Sequence, residues 1–207
     1  MRSKTLTFVI SSLFLLLWPA ISQAENAQSQ TSNKYADITN RFSIGSDEAP
    51  VTIDLFYAPT CPHCRRFFND HLKILQEEYV DTQKLKIIFH DISLNPATHI
   101  ISYLLHCQNH GYKFEIAKII LNSQTKWIYA QKPIEEIKRI FKLAGYSDQL
   151  IESCLNDRDL QTHLSYIFFK ETEKYNIQAV PKLYINDEEF EDIFDIEALQ
   201  NKLDSLL

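Results

Sequence analysis

The chain has 207 residues, a formal charge of −6, 45% hydrophobic and 23% charged residues, four cysteines and only three glycines. At about 150 residues per domain this is one domain or one domain with a large insertion. The apolar fraction excludes a disordered or collagen-like chain, four cysteines are too few for a disulfide-dense scaffold, and the acidic balance argues against an electrostatic nucleic-acid binder.

Much of the apolar content lies at the start. Arg2 and Lys4 form a short basic region, Leu6 to Trp18 is apolar apart from Thr7, Ser11 and Ser12, and Pro19 breaks the run. Ser22-Gln23-Ala24 then places small residues at −3 and −1 of a cleavage site after Ala24. This is the layout of a secretory signal peptide over residues 1–24, with an uncleaved anchor as the alternative. The run is short for a span of about 20 apolar residues. No cysteine follows it, which argues against a lipoprotein. Removal of the segment leaves 183 residues with a charge of about −8, and all four cysteines enter an oxidising compartment, expected to be the periplasm.

Residues 25–41 read as a loose polar leader. Val51 to Ala58, β-branched and aromatic between Pro50 and Pro59, predicts a buried strand. From Pro62, Phe67, Phe68, Leu72, Leu75 and Tyr79 recur at helical spacing, and Lys84 to His90 predicts a second strand. Strand, helix and strand in about 40 residues make a βαβ unit with a parallel pair. The middle is helical: one helix opens at Pro96 and carries Ile100, Tyr103, Leu104 and Cys107, with Gly111 beyond its end. A second runs from about Pro133 to Ala144 and stops at Gly145, the usual place for a left-handed residue. Ser147 caps a third with Leu150, Ile151, Cys154 and Leu155, and Asp157 to Tyr175 forms a fourth. Lys182 to Asn186 and a partner near Glu189 to Ile193 return to strand, and Ile196 to Leu206 closes with a helix. The fold class is α/β: a mixed sheet flanked by helices (residues 42–92 and 176–207), interrupted by a helical insertion (93–175).

Thr60-Cys61-Pro62-His63-Cys64 follows a predicted strand and opens a predicted helix. A thiol there faces unsatisfied backbone N–H groups and the positive end of the helix dipole, both of which favour thiolate. Cysteines so placed fall from about 8.5 into a range of roughly 3.5–7.5. Pro62 costs nothing in the first turn, where its missing N–H would be unpaired, and His63 adds a positive charge or a donor beside the sulfur. A stabilised thiolate makes the disulfide more oxidising. Half of a zinc site is the first alternative, but no second C-x-x-C exists, and His106, Cys107 and His110 lack a matching spacing. A structural disulfide is the second. Redox chemistry is the favoured reading.

Gly45-x-x-x-Ala49-Pro50-Val51-Thr52-Ile53 followed by Cys61-Pro62-His63-Cys64 resembles the DsbA-like thioredoxin-fold thiol:disulfide oxidoreductases, in particular the alphaproteobacterial DsbA-like group. The likeness continues through Leu94-Asn95-Pro96 to Val180-Pro181 and the last helix, over essentially the whole mature chain. It implies a thioredoxin fold with an inserted helical domain that roofs the site. It implies that Cys61 forms the mixed disulfide, that Cys64 is the buried resolving thiol, that Pro181 is cis, and that the Val180 backbone pairs with a substrate peptide. It further implies reduced or unfolded protein substrates and a quinone-linked membrane oxidase of the DsbB type as reoxidant. No metal or organic cofactor is expected, because the redox chemistry resides in Cys61 and Cys64, and the chain is expected to be a monomer. The rivals are a reductase or isomerase, and a non-enzymatic extracytoplasmic module for copper or zinc.

One position departs from the family. The buried acid expected six residues before the first cysteine is Leu55 here, and Asp54 is one residue earlier. Strand side chains alternate between faces, so Asp54 is expected to point away from Cys64. Cys107 and Cys154 lie on apolar helix faces and could be buried free thiols. The oxidising compartment and the resemblance favour a structural disulfide between them. The seven acidic residues in Asp187–Glu197 lack calcium-loop spacing and read as a solvated face. Among the remaining histidines (71, 90, 99, 106, 110 and 163), His90 has the best claim to a role, since it ends a strand near the site. Phe56, Tyr57, Phe67 and Phe68 are expected in the core, and Trp127 and Tyr129 either there or on a substrate-facing patch.

Overall fold

A computed structural model describes residues 35, 39, 41–108 and 111–207. The signal peptide, the cleavage site after Ala24, nearly all of the leader and His110 lie outside the described residues. Every element below belongs to the compact unit Ile38–Leu207.

The sheet has five strands, β1 (Arg41–Ile44), β2 (Val51–Tyr57), β3 (Leu85–Asp91), β4 (Lys182–Ile185) and β5 (Glu188–Phe190), in the order β1-β3-β2-β4-β5. β2 and β3 are parallel, with Val51 opposite Leu85 and Tyr57 opposite Asp91, and the other pairs are antiparallel. The parallel pair is joined through α1 (Pro62–Asp70), α2 (Leu72–Leu75) and a π-helical turn (Gln76–Val80). Sequence periodicity predicts one helix there. The structure interrupts it at His71, whose buried ring lies against Phe67 and Phe194.

The insertion carries α3 (Pro96–His106), α4 (Lys113–Asn122), α5 (Gln124–Ile128), α6 (Pro133–Leu143), α7 (Asp148–Asn156) and α8 (Arg158–Lys174), and α9 (Ile196–Asp204) closes the chain. α3, α7, α8 and α9 begin at residues whose side chains accept backbone N–H groups: Asn95, Ser147, Asp157 and Asp195. β4 and β5 meet in a two-residue turn at Asn186-Asp187, both at positive φ (48° and 67°), the backbone that matches the twist of a tight hairpin.

Three elements lie where the sequence reading placed none. β1 is a four-residue edge strand, too short for its alternation to register. α4 and α5 follow Tyr112 and Ser123, neither of which makes a side-chain cap.

Alternation along β2 sorts the two faces. Val51, Ile53, Leu55 and Tyr57 join the large core with Cys64, Phe67 and Phe68 of α1, and Phe56 joins Ile92 and Tyr184 in a small second cluster. Ile101, Leu104 and Leu105 of α3, Ile120 and Leu121 of α4, Trp127, and Phe141 of α6 belong to the same large core. Sheet and insertion therefore share one apolar interior.

Candidate active site

Cys61 is the N-cap of α1, in extended conformation, and Pro62 occupies the first helical turn. The Cys61 sulfur accepts the Cys64 backbone N–H at 3.3 Å and donates its thiol hydrogen to the Val180 carbonyl at 3.3 Å. The peptide bond between Val180 and Pro181 is cis. Cys61 is half-buried and Cys64 fully buried, and both are free thiols. The Cys64 sulfur accepts the Ala58 N–H at 3.5 Å.

The two thiols are held at opposite ends of their range. The Cys64 thiol hydrogen-bonds to the Cys61 sulfur, and this contact does most to lower the Cys61 thiol, to about 6, against the opposing effect of partial burial. The Cys64 and His63 backbone N–H groups and the His63 charge add to the lowering. Burial pushes Cys64 far above the usual thiol range, and the Cys61 sulfur beside it adds to the rise. One cysteine is thus set up to ionise near neutral pH and the other to stay protonated. His63 stands on the exposed side of the helix tip, its ring 6.1 Å from that of Phe194.

Two carboxamides from the start of α3 and from α5 reach the loop before Cys61. Asn95 Nδ2 donates to Thr60 Oγ1 at 3.2 Å, and Gln124 Nε2 donates to the Pro59 and Cys61 carbonyls at 2.8 and 3.0 Å. Sequence reasoning missed Gln124. It sits in a polar run with no local pattern, and its partners lie more than 60 residues upstream.

The position of the missing acid resolves as alternation requires. Leu55 is in the core with Cys64, while Asp54 lies on the other face, its Oδ1 2.6 Å from His90 Nε2. His90 Nδ1 is 3.1 Å from Glu171 Oε1 of α8. Burial alone would pull the fully enclosed imidazole down, but the two carboxylates outweigh it and hold its proton affinity above the ordinary value. Behind the site, the Tyr57 hydroxyl is buried with no hydrogen-bond partner among the described residues. Burial, and then the charges of Asp91 and Cys64, push its ionisation well up.

Cys107, at the end of α3, and Cys154 of α7 are bonded at 2.05 Å. Trp127 is in the core and Tyr129 is 84% exposed. Among the described residues, no three His, Cys, Asp or Glu side chains come together in a way that could hold a metal ion, and no helix is long and apolar enough to cross a membrane.

Comparison with known proteins bears on the fold and the family. A provisionally named protein-disulfide oxidoreductase of Rickettsia typhi is 28% identical over 118 residues, 56% of this chain and 44% of that protein. The match thus takes in less than half the length of that relative. The crystal structure of alpha-DsbA1 from Wolbachia pipientis matches with a TM-score of 0.73 at 23% identity, over 81% of this chain and 90% of that one. A protein-disulfide isomerase structure from Novosphingobium aromaticivorans matches with a TM-score of 0.70 at 18% identity, over 82% and 98%. These structures share the sheet and the helices around it. The thioredoxin family model matches residues 37–205, nearly everything beyond the leader, and the chain therefore belongs to the thioredoxin family.

Proposed function

We propose that the protein is an extracytoplasmic thiol:disulfide oxidoreductase that donates the Cys61–Cys64 disulfide to folding proteins. The observation that carries this reading is the contrast between an acidic, half-exposed Cys61 at a helix N-cap and a buried Cys64 whose thiol resists ionisation. Substrate and family chemistry fit in order. A substrate thiolate attacks the Cys61 sulfur, the Cys61–Cys64 bond breaks, and Cys64 leaves with the electron pair and takes up a proton. The substrate's second thiolate then attacks the substrate sulfur of the mixed disulfide and expels Cys61 as a stabilised thiolate. The substrate loses two electrons and the Cys61–Cys64 pair gains them.

The disulfide-exchange names of the Rickettsia and Wolbachia proteins support the reaction class. Pro62 and His63 set the helix tip, and the Val180–Pro181 backbone beside Cys61 is the edge on which a substrate peptide would pair. We further infer export by the N-terminal segment, a periplasmic location, a monomeric state, and reoxidation by a quinone-linked membrane protein of the DsbB type. Cys107–Cys154 acts as a staple within the insertion.

Alkylation after equilibration in graded glutathione buffers tests the donor role. The Cys61–Cys64 couple should be far more oxidising than thioredoxin, at about −270 mV. A couple near that value overturns the donor reading in favour of a reductase. Cys61→Ser should abolish oxidation of a reduced protein substrate. Cys64→Ser, whose Cys61 thiolate can attack a substrate disulfide and expel one substrate thiolate but has no second thiol to release it, should accumulate the mixed disulfide with a disulfide-bonded substrate, visible by non-reducing electrophoresis.

A further inference from the structure

Gln124 is 3% exposed and stands in the insertion, yet both of its described hydrogen bonds go to the loop that presents Cys61. Its carboxamide nitrogen donates one hydrogen to the Pro59 carbonyl at 2.8 Å and the other to the Cys61 carbonyl at 3.0 Å. Between those points the chain turns: the Cys61 N–H donates to Ala58 O at 2.9 Å, and the Cys61 carbonyl takes the first helical hydrogen bond, from Arg65, at 3.2 Å. Gln124 therefore holds the turn on both sides of the helix tip. It is itself held. Trp127, one turn along α5 and 1% exposed, donates its indole N–H to Ile120 O of α4 at 2.8 Å.

The acidity of Cys61 depends on backbone direction. The sulfur is stabilised by donors aimed at it, the Cys64 N–H among them at 3.3 Å, and these stay aligned only while the Cys61 backbone keeps its extended cap conformation. Without Gln124 the buried Pro59 carbonyl loses its described donor and the Cys61 carbonyl keeps only the helical one from Arg65, and a buried acceptor without a partner turns to find one. The turn would follow.

We propose that Gln124 is a positioning residue for Cys61: by pinning the Pro59 and Cys61 carbonyls, it holds the sulfur in the cap geometry that stabilises its thiolate. The helical insertion in this way acts on the reactivity of the thioredoxin-fold motif, beyond covering it. The inference rests on Cys61 being the exchanging sulfur, as proposed above.

The test uses the full mature chain with Gln124→Met, which keeps length and removes both donors, and Gln124→Glu, which puts a carboxylate against the two carbonyls. Thiolate absorbance at 240 nm against pH gives the Cys61 titration, and glutathione equilibration gives the exchange constant. Both variants should raise the Cys61 midpoint, Met by about half a unit to one unit and Glu by more, and lower the oxidising equilibrium constant by about three- to tenfold. Gln124→Asn, which keeps the donors on a shorter arm, should fall between wild type and Met, and it serves in place of any variant that does not fold. Unchanged midpoints and constants in folded variants, even with a lower Tm, would overturn the inference and leave Gln124 a structural tie. A wild-type Cys61 midpoint near 8.5 would instead overturn the reading of the site itself, so the two failures are distinguishable.

Discussion

Asp54 and His90 show how a one-residue displacement redirects a charge. On β2, position 55 faces Cys64 and position 54 faces away, so an acid at 54 cannot exchange a proton directly with the buried thiol. It binds His90 instead, and His90 in turn binds Glu171. A fully buried imidazole between two carboxylates ties β2 and β3 to α8, with Phe56 stacked on its ring at 4.3 Å. Because the folded imidazole holds its proton more tightly than the free side chain, its contribution is complete below about pH 6.5 and is lost as the pH rises through the raised folded value. Urea unfolding from pH 5.5 to 8.5 should show stability attributable to His90 falling with pH, whereas a flat profile would argue against a charged imidazole. At pH 6, His90→Leu removes the described side-chain partner of the largely buried Asp54 carboxylate and should cost about 3–5 kcal/mol, measured from the shift in the urea midpoint.

At the scale of elements, legibility in the sequence followed local chemistry. The helices opened by Pro96 after Asn95, by Ser147 and by Asp157 announce themselves because a cap is a local event between residues two or three apart. α4 has a buried face of Phe114, Ile116, Ala117, Ile120 and Leu121 but no capping side chain, and β1 has four residues, so neither carries a start signal. The Cys61-Pro62-His63-Cys64 motif was legible for the same reason the caps were. Gln124 was not, since its meaning arises only when α5 packs across the loop. Gly45 marks a position where backbone alone decides. It has φ +99°, and a Cβ there would overlap the Leu85 carbonyl oxygen, so Gly45→Ala should destabilise by at least about 1 kcal/mol and loosen β1, seen as faster amide exchange in Phe42–Ile44. The cross-link between α3 and α7 acts over a longer range. Its cysteines are 47 residues apart, and the loop-closure argument gives about 4 kcal/mol for its removal. Cys107→Ala/Cys154→Ala should lower the thermal midpoint accordingly while leaving Cys61 reactive toward iodoacetamide.

For the whole molecule, the shared core means that ionisation at the helix tip is felt in global stability. In the reduced protein the Cys61 thiol ionises near about 6 when folded and near an ordinary thiol value when unfolded. A group with a depressed folded pKa stabilises the fold fully above the unfolded value and ceases to do so as the pH falls through the folded one. The shift corresponds to at most about 4 kcal/mol, and to about half of that or less for a sulfur that is half open to solvent. The disulfide form has no thiolate and none of this stabilisation. The free-energy difference between reduced and oxidised protein should therefore widen in favour of the reduced form from pH 5 to pH 9, and reduced Cys61→Ser should not show the rise. Paired urea unfolding curves for the two redox forms measure it. A widening gap makes release of the disulfide downhill, the thermodynamic condition for a donor, while a gap independent of pH would mean that the helix tip does not hold a thiolate. Linkage also joins the two proposals, because any loosening of the Pro59–Cys61 loop that raises the thiol midpoint must shrink the gap by the same free energy.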